Sequence, residues 1–481
     1  MNEEKAHLPR VLGLAGLSFL LIAALVNLNS VPVVAAMGPG ALLFWVLGFL
    51  LFFLPQGAAV VELSSRYPQE GGIYNWSKTA FGDFHGFISG WCYWTNNIFY
   101  IPTLLFYIVG FAAFVGGEAT RPLGNDPLFM AGVSLGLLWL ITWLNIFGLR
   151  FGSWVQGAGA IGTFLTTLIL VAVGFAAASM RGLANPIETE GVARALSEWR
   201  TVSLLSVVCL NYVGLELGSV LGDEIRNPRR TIPRASLIAG VSTVGLYLLA
   251  TFALQASVPA SEIGVIDGIL QGVKVASAEL GIPWILPLLA VLMSLNASGN
   301  ASAWLAGAAR IPFVIGIDRY LPAAFARVHP RFRTPHVALI VQGFASSLFI
   351  VISAVGASVS DMYLILLQTT IILQLIPYLY MFGALIRIRR SPERFAPGRP
   401  YFRRSWIPYL AGSLGVVVTL AGLCLAFVPA AGVVDVVGFE MKTILGVLSF
   451  LVPAVILYHL KARRLRASEP LGAPAEVMSD H

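Results

Sequence analysis

Glu216 lies in the middle of an apolar stretch, 203–225, that is long enough to cross a bilayer. Around it the chain reads Asn211-Tyr212-Val213-Gly214-Leu215-Glu216-Leu217-Gly218. A carboxyl, an amide and two glycines at mid-depth are costly in hydrocarbon unless they line a cavity or meet protein partners. Such a carboxyl can pair with a substrate amine, carry a proton, or be hydrogen-bonded between helices to hold a break open. The stretch 10–37 has a matching interruption, Asn27-Leu28-Asn29-Ser30-Val31-Pro32. Pro32 removes a backbone donor and crowds the preceding turn, so the helix is expected to open over 27–31. The glycines weaken the other helix in the same region.

A helix broken at mid-depth presents free amides at one end and free carbonyls at the other. Broken spans of this kind are where transporters hold small charged cargo. For a zwitterion, the second half of the first break favours the carboxylate. Asn29 and Ser30 could add donors there, with Asn27 and Val31 at the same opening. The amine needs acceptors, which the carbonyls around Asn211, Tyr212 and Gly214 supply, together with Glu216. Farther along, Tyr93, Asn97 and Tyr100 share one helical face. They either line the same cavity or pack against a neighbouring helix. Ser294, Ser298 and Trp304 are weaker candidates, because small polar residues also let membrane helices approach closely. Glu62, at the end of the second apolar stretch, reads as a gate or pairing residue rather than a ligand.

The elements that position these residues are membrane helices. Of 481 residues, 57% are hydrophobic and 11% charged, against about 25% charged in soluble domains. With roughly 20 apolar residues per crossing, twelve segments emerge: 10–37, 40–65, 84–116, 127–149, 153–180, 201–226, 233–257, 281–316, 336–357, 361–388, 405–430 and 439–461. With the N-terminus inside, 25 of the 31 Lys and Arg residues fall on the inner side and 6 on the outer. That bias sets both termini in the cytoplasm. The net charge of +7 is therefore a topology signal, and nucleic acid is not an expected partner. Cys92, Cys209 and Cys424 all fall inside apolar segments, with no metal-ligand spacing. The first stretch is too long for a cleaved signal core. The chain divides into a core, 1–388, a basic Pro-rich connector, 389–404, two further spans, 405–461, and a polar tail, 462–481, expected to be disordered.

The two interrupted spans are the first of two five-span units. An odd number per unit forces the second to be inverted relative to the first. Three runs carry a family signature. The first is Glu62-Leu63-Ser64-Ser65-Arg66-Tyr67-Pro68-Gln69-Glu70-Gly71-Gly72-Ile73-Tyr74-Asn75-Trp76 with Ala80-Phe81-Gly82. The second is Gly222-Asp223-Glu224-Ile225-Arg226-Asn227-Pro228 with Thr231-Ile232-Pro233-Arg234. The third is Arg310-Ile311 followed by Asp318-Arg319-Tyr320-Leu321-Pro322. In this order, over nearly the whole chain, they resemble the amino acid–polyamine–organocation transporters. The resemblance implies an all-α membrane protein of the leucine-transporter fold, twelve transmembrane helices in a 5+5 inverted repeat plus two peripheral helices. Spans 1, 2, 6 and 7 would then move as a bundle against a scaffold of spans 3, 4, 8 and 9. The Gly-small-Gly triplet common at the first break in relatives is replaced here, and the Pro-containing break is closer to the glutamate/GABA antiporter branch.

The function expected is a secondary active transporter of amino acids in the cell membrane, as symporter or exchanger. A polyamine or organic-cation transporter and a transporter-like sensor are the alternatives. No HExxH, GxSxG or His/Asp cluster points to an enzyme. No cofactor is expected; the coupling ion could be H+, and Ser298 leaves Na+ open. The partners are a small-molecule substrate and the lipid bilayer; oligomeric state and the particular amino acid stay open.

Overall fold

The computed structural model of the protein describes residues 8–115, 120–185, 197, 205–264, 268–355, 359–391, 393–395, 398–427 and 436–467. Among these, ten helical segments are long and apolar enough to cross a membrane. Two crossings complete the twelve. Span 9 (His336–Val355) is a shorter apolar helix. Span 6 falls below that length because it is broken into Leu205–Asn211 and Leu217–Val220.

Span 1 is broken likewise. Its first half, Leu14–Leu25, ends at Val26, a 3-10 turn covers Leu28–Ser30, and the helix restarts over Val31–Ala35. Pro32 therefore sits in the first turn of the second half, where its missing N–H would have had no helical partner anyway. The opening lies a residue earlier than proline crowding suggested, and Val31 is already helical.

The other spans are span 2 (Ala41–Arg66), span 3 (Asp83–Val115), span 4 (Pro127–Ile146), span 5 (Leu149–Arg181), span 7 (Pro228–Ser257), span 8 (Ile285–Ala308, continued by Arg310–Ile317), span 10 (Val359–Arg390), span 11 (Trp406–Leu425) and span 12 (Val436–Ala467). Span 12 stays helical into the expected tail, whose remainder, 468–481, is outside the described residues. Span 8 packs between spans 3 and 5, and the first half of span 1 lies against spans 5, 7 and 8. Span 11 packs on spans 2 and 10, and span 12 on spans 3 and 10. Residues facing outward from spans 4, 5, 11 and 12 are bulky and apolar, such as Trp154, Leu168, Val417 and Leu445, as a lipid-facing surface requires.

At the cation-rich end, a short amphipathic helix, Gly72–Phe81, follows span 2. Its glycine pair has a steric cause. Gly72 has φ +30°, and a Cβ there would stand 2.3 Å from Ser219 Oγ in span 6. The same end is tied shut by Leu12 and Ile225, which form a parallel bridge. Val11 and Leu12 N–H both donate to the Glu224 carbonyl at 2.9 Å. Beneath it, the Arg310 guanidinium donates to the Glu224 carboxylate through Nε (2.8 Å) and Nη2 (3.3 Å). Arg310 also donates to the Ala306 carbonyl and is fully buried. Glu224 thus joins the entry to span 1 and the exit of span 6 to span 8.

Candidate functional site

Both breaks open onto one cavity. Asn27 and Ser30 reach it from span 1, and Leu210, Asn211 and Val213 from span 6. Span 3 contributes Asn96, Tyr100, Thr103, Leu104 and Tyr107, span 8 contributes Trp304, and span 10 contributes Thr370 and Gln374. The free space is about 30 Å³, room for a water or two, so anything larger enters only if the walls separate. Below it, toward the cation-rich end, Leu17 and Leu21 of span 1 close on Gly218 of span 6. The cavity instead extends along Thr103, Leu104 and Tyr107 toward the other face.

Tyr247 of span 7 holds the two breaks together. Its hydroxyl lies 2.8 Å from the Leu25 carbonyl and 3.2 Å from the Asn211 carbonyl, and it accepts the Asn27 N–H at 3.0 Å. Its ring stacks on Trp45 at 4.2 Å. The other carbonyls ending the first half of span 1 also meet uncharged donors. Asn300 Nδ2 (3.1 Å) and Trp304 Nε1 (3.0 Å) donate to Ala24, and Asn296 Nδ2 (3.0 Å) donates to Val26. Tyr100 links these groups, accepting from Asn27 Nδ2 at 3.2 Å and donating to Asn300 Oδ1 at 3.1 Å. The span 8 hydroxyls do not take part. Ser298 donates back to the Ser294 carbonyl, and Ser294 to Ala290.

Glu216 is fully buried beside this cavity and does not line it. Tyr93 donates to its Oε1 at 3.0 Å, while Gln56 Nε2 and the Gly214 N–H each donate to Oε2 at 3.1 Å. The Tyr378 hydroxyl donates to the same oxygen. Four donors from spans 2, 3, 10 and 6 itself converge on one carboxyl. Gly214 makes this possible through φ +136°, a backbone conformation open in practice to glycine.

The residues singled out from the sequence therefore separate into groups. Asn27, Ser30 and Asn211 line the cavity, as do Tyr100 and Trp304. Tyr93, Gly214 and Glu216 form the adjoining buried cluster. Tyr212 turns away, its hydroxyl donating to the Trp45 carbonyl at 3.0 Å. Asn29 is buried, and its two side-chain polar atoms have no partner. Asn97 donates to the Tyr93 carbonyl, and Val31 packs in the apolar core.

Glu62 is remote from the cavity, at the cation-rich end of span 2. Its Oε1 accepts from Arg66 and Arg389, and its Oε2 from the backbone N–H of Tyr401 and Phe402, all within 2.9–3.0 Å. Glu70, between span 2 and the helix Gly72–Phe81, is 6% exposed and keeps Oε1 without a hydrogen-bond partner. Burial, then the Glu224 charge, push its acid well above the usual carboxylate range, Asp223 adding to them and Arg310 opposing.

Sequence reasoning missed Gln56, Tyr247, Thr370, Gln374 and Tyr378. A signal existed for three of them: Thr370, Gln374 and Tyr378 interrupt an apolar run around Pro377, the same pairing of polar residues with a helix breaker that marks span 1.

The sequence profile described as amino acid permease matches residues 12–451. A transporter of Legionella pneumophila subsp. pneumophila is 28% identical over 94% of this chain and 96% of its own length. A glutamate/gamma-aminobutyrate antiporter of Lactococcus lactis subsp. lactis is 24% identical over 96% of this chain and 92% of its own. A protein of the same organism named probable agmatine/putrescine antiporter is 24% identical over 76% of this chain and 77% of its own. With a match that runs from the bridge at Leu12 through both broken spans and into span 12, the chain belongs to the amino acid permease family, transporters of the amino acid–polyamine–organocation superfamily.

Proposed function

We propose that this protein is a secondary transporter that carries amino acids across the cytoplasmic membrane by alternating access, with cargo held between the breaks of spans 1 and 6. The observation that carries the reading is the shared cavity: both breaks contribute to it, and spans 3, 8 and 10 complete it. The Leu17, Leu21 and Gly218 contact and the Glu224–Arg310 pair would close the cytoplasmic side. Opening there requires both to part.

Cargo carboxylate would sit at Ser30, where the second half of span 1 begins, and cargo amine at the Asn211 to Val213 segment. Glu216 is the group through which a proton would act. Protonation would turn an acceptor serving four donors into a donor toward one of them, loosening the span 6 break. The span 1 carbonyls already accept from Asn296, Asn300, Trp304 and Tyr247, so a sodium ion is not needed to satisfy them. One relative is named a glutamate/gamma-aminobutyrate antiporter and another a probable agmatine/putrescine antiporter, so polyamine transport is the second reading.

Counterflow in proteoliposomes tests this. Labelled amino acid should accumulate against unlabelled cargo of the same class, and proton or sodium gradients imposed separately identify coupling. Saturable binding without counterflow would replace transport by sensing.

A further inference from the structure

Two polar atoms on the cavity wall are uncommitted. Thr370 Oγ1 and Gln374 Nε2, both on span 10, are buried and have no hydrogen-bond partner. Each residue is 1% exposed. They lie one helical turn apart and so share a face. Gln374 is held in place from its other end, because its Oε1 accepts from Asn96 Nδ2 of span 3. Asn96 in turn donates to the Tyr93 carbonyl at 2.7 Å. A buried donor without an acceptor is costly, and here one amide is fixed with its N–H2 unused in the wall of the cavity that both helix breaks share.

Charge completes the picture. Among the described residues, no formally charged side chain lines the cavity. The nearby carboxyl, Glu216, is occupied by Tyr93, Tyr378, Gln56 and the Gly214 N–H. Trp304 and Tyr100 offer aromatic surface, but their rings are already set against each other, edge to face at 5.9 Å. A buried charge is tolerated only when paired. Cargo charges must therefore cancel within the cargo, at the helix breaks.

From this we infer that the cargo is an amino acid of zero net charge whose side chain carries an uncharged acceptor, an amide or hydroxyl, received by Gln374 and Thr370. Gln374 is the specificity-determining residue. This rests on the transport reading above and narrows it: cationic amino acids, polyamines and dicarboxylates are poor cargo.

The test is counterflow by the full-length protein in liposomes. The panel is glutamine, asparagine, serine, leucine, arginine, ornithine, glutamate, agmatine and putrescine. Glutamine, asparagine or serine should lead. A Gln374→Leu variant should lower the preference for glutamine over leucine by about tenfold or more, since a site that hydrogen-bonds cargo discriminates strongly against analogues lacking the group. Gln374→Glu keeps the shape and the Asn96 bond, and should bring ornithine or arginine up relative to glutamine. Thr370→Val, which keeps the volume, should weaken selectivity in the same direction as Gln374→Leu. Wild-type preference for a cationic or dicarboxylic cargo overturns the inference while leaving the transport reading intact. So does an unchanged cargo order in Gln374→Leu and Thr370→Val proteins that still transport. Absence of counterflow with every member overturns the transport reading, and the inference with it.

Discussion

Replacing Glu224 by Gln should open the cytoplasmic side of the protein. Arg310 is fully buried, and its charge is balanced by Glu224 at 2.8 Å. Removing one partner of such a pair typically costs about 3–5 kcal/mol, because the other charge stays buried without compensation. If the pair exists only while the cytoplasmic side is closed, that cost falls on the closed state alone. At 1.4 kcal/mol per factor of ten, even ~3 kcal/mol moves the closed-to-open ratio about 100-fold. The reporter is a cysteine at Leu21, which packs against Gly218 beneath the cavity, in a protein whose Cys92, Cys209 and Cys424 are changed to serine. A membrane-impermeant maleimide added from the cytoplasmic side should label Leu21→Cys about two orders of magnitude faster once Glu224→Gln is added. Adding Arg310→Met as well removes both charges and should return labelling close to its starting rate, since apolar replacement of a buried pair is often neutral. A Glu224→Gln protein that melts at lower temperature yet labels at the unaltered rate would refute the reasoning. The pair would then brace the fold in every state instead of closing one side.

Other perturbations give sharp outcomes. Tyr247→Phe keeps the ring on Trp45 but strips the hydroxyl from Leu25, Asn211 and Asn27; at about 1–3 kcal/mol for buried groups left unpaired, the half-saturation concentration for cargo should rise about tenfold or more without loss of folded protein, measured by counterflow and size-exclusion profile. Replacing sodium by choline on both sides should change counterflow by less than about twofold, because Asn296 and Asn300 already serve the span 1 carbonyls; a strict sodium requirement contradicts this. Glu70 has a raised pKa in the closed form, through burial and Glu224, with Asp223 adding and Arg310 opposing. Its contribution is therefore full below the ordinary glutamate pKa and is lost as pH rises through the raised value. Leu21→Cys labelling should accordingly increase with pH after correction for thiol ionisation, and Glu70→Gln should flatten that profile.

The breaks were legible in the sequence because they combine two independent signals, polar residues and helix breakers, inside apolar runs. From them Asn27, Ser30 and Asn211 could be named, and these line the cavity. Facing was harder to read. Asn211 and Tyr212 are adjacent, about 100° apart around a helix, so they point to different neighbours: Asn211 faces the cavity, while Tyr212 goes to Trp45. Asn29 is likewise absent from the cavity lining: it is buried in the 3-10 turn, and its N–H donates to Asn27 Oδ1 at 3.2 Å. Tyr93 and Glu216 were each noticed, but their pairing depends on how spans 3 and 6 cross, which periodicity does not encode. In span 10 the polar residues around Pro377 carry a local signal, but their partners do not: only assembly brings Gln374 to Asn96 and Tyr378 to Glu216.

The contacts of Glu62 bear on how the protein is made. This carboxylate belongs to span 2, yet two of its four partners, the amides of Tyr401 and Phe402, emerge from the ribosome more than 330 residues later. Arg389 arrives only slightly sooner, and its Nη2 donates to the Phe402 carbonyl at 2.7 Å. Until then Arg66 is, among the described residues, the one cation paired with this carboxylate. A nascent chain that stops after the tenth span therefore carries all the helices that surround the cavity but an unfinished surface at the cation-rich end. Quality control that senses exposed polar backbone and unpaired charge at that surface would distinguish a complete polypeptide from one that ended too early.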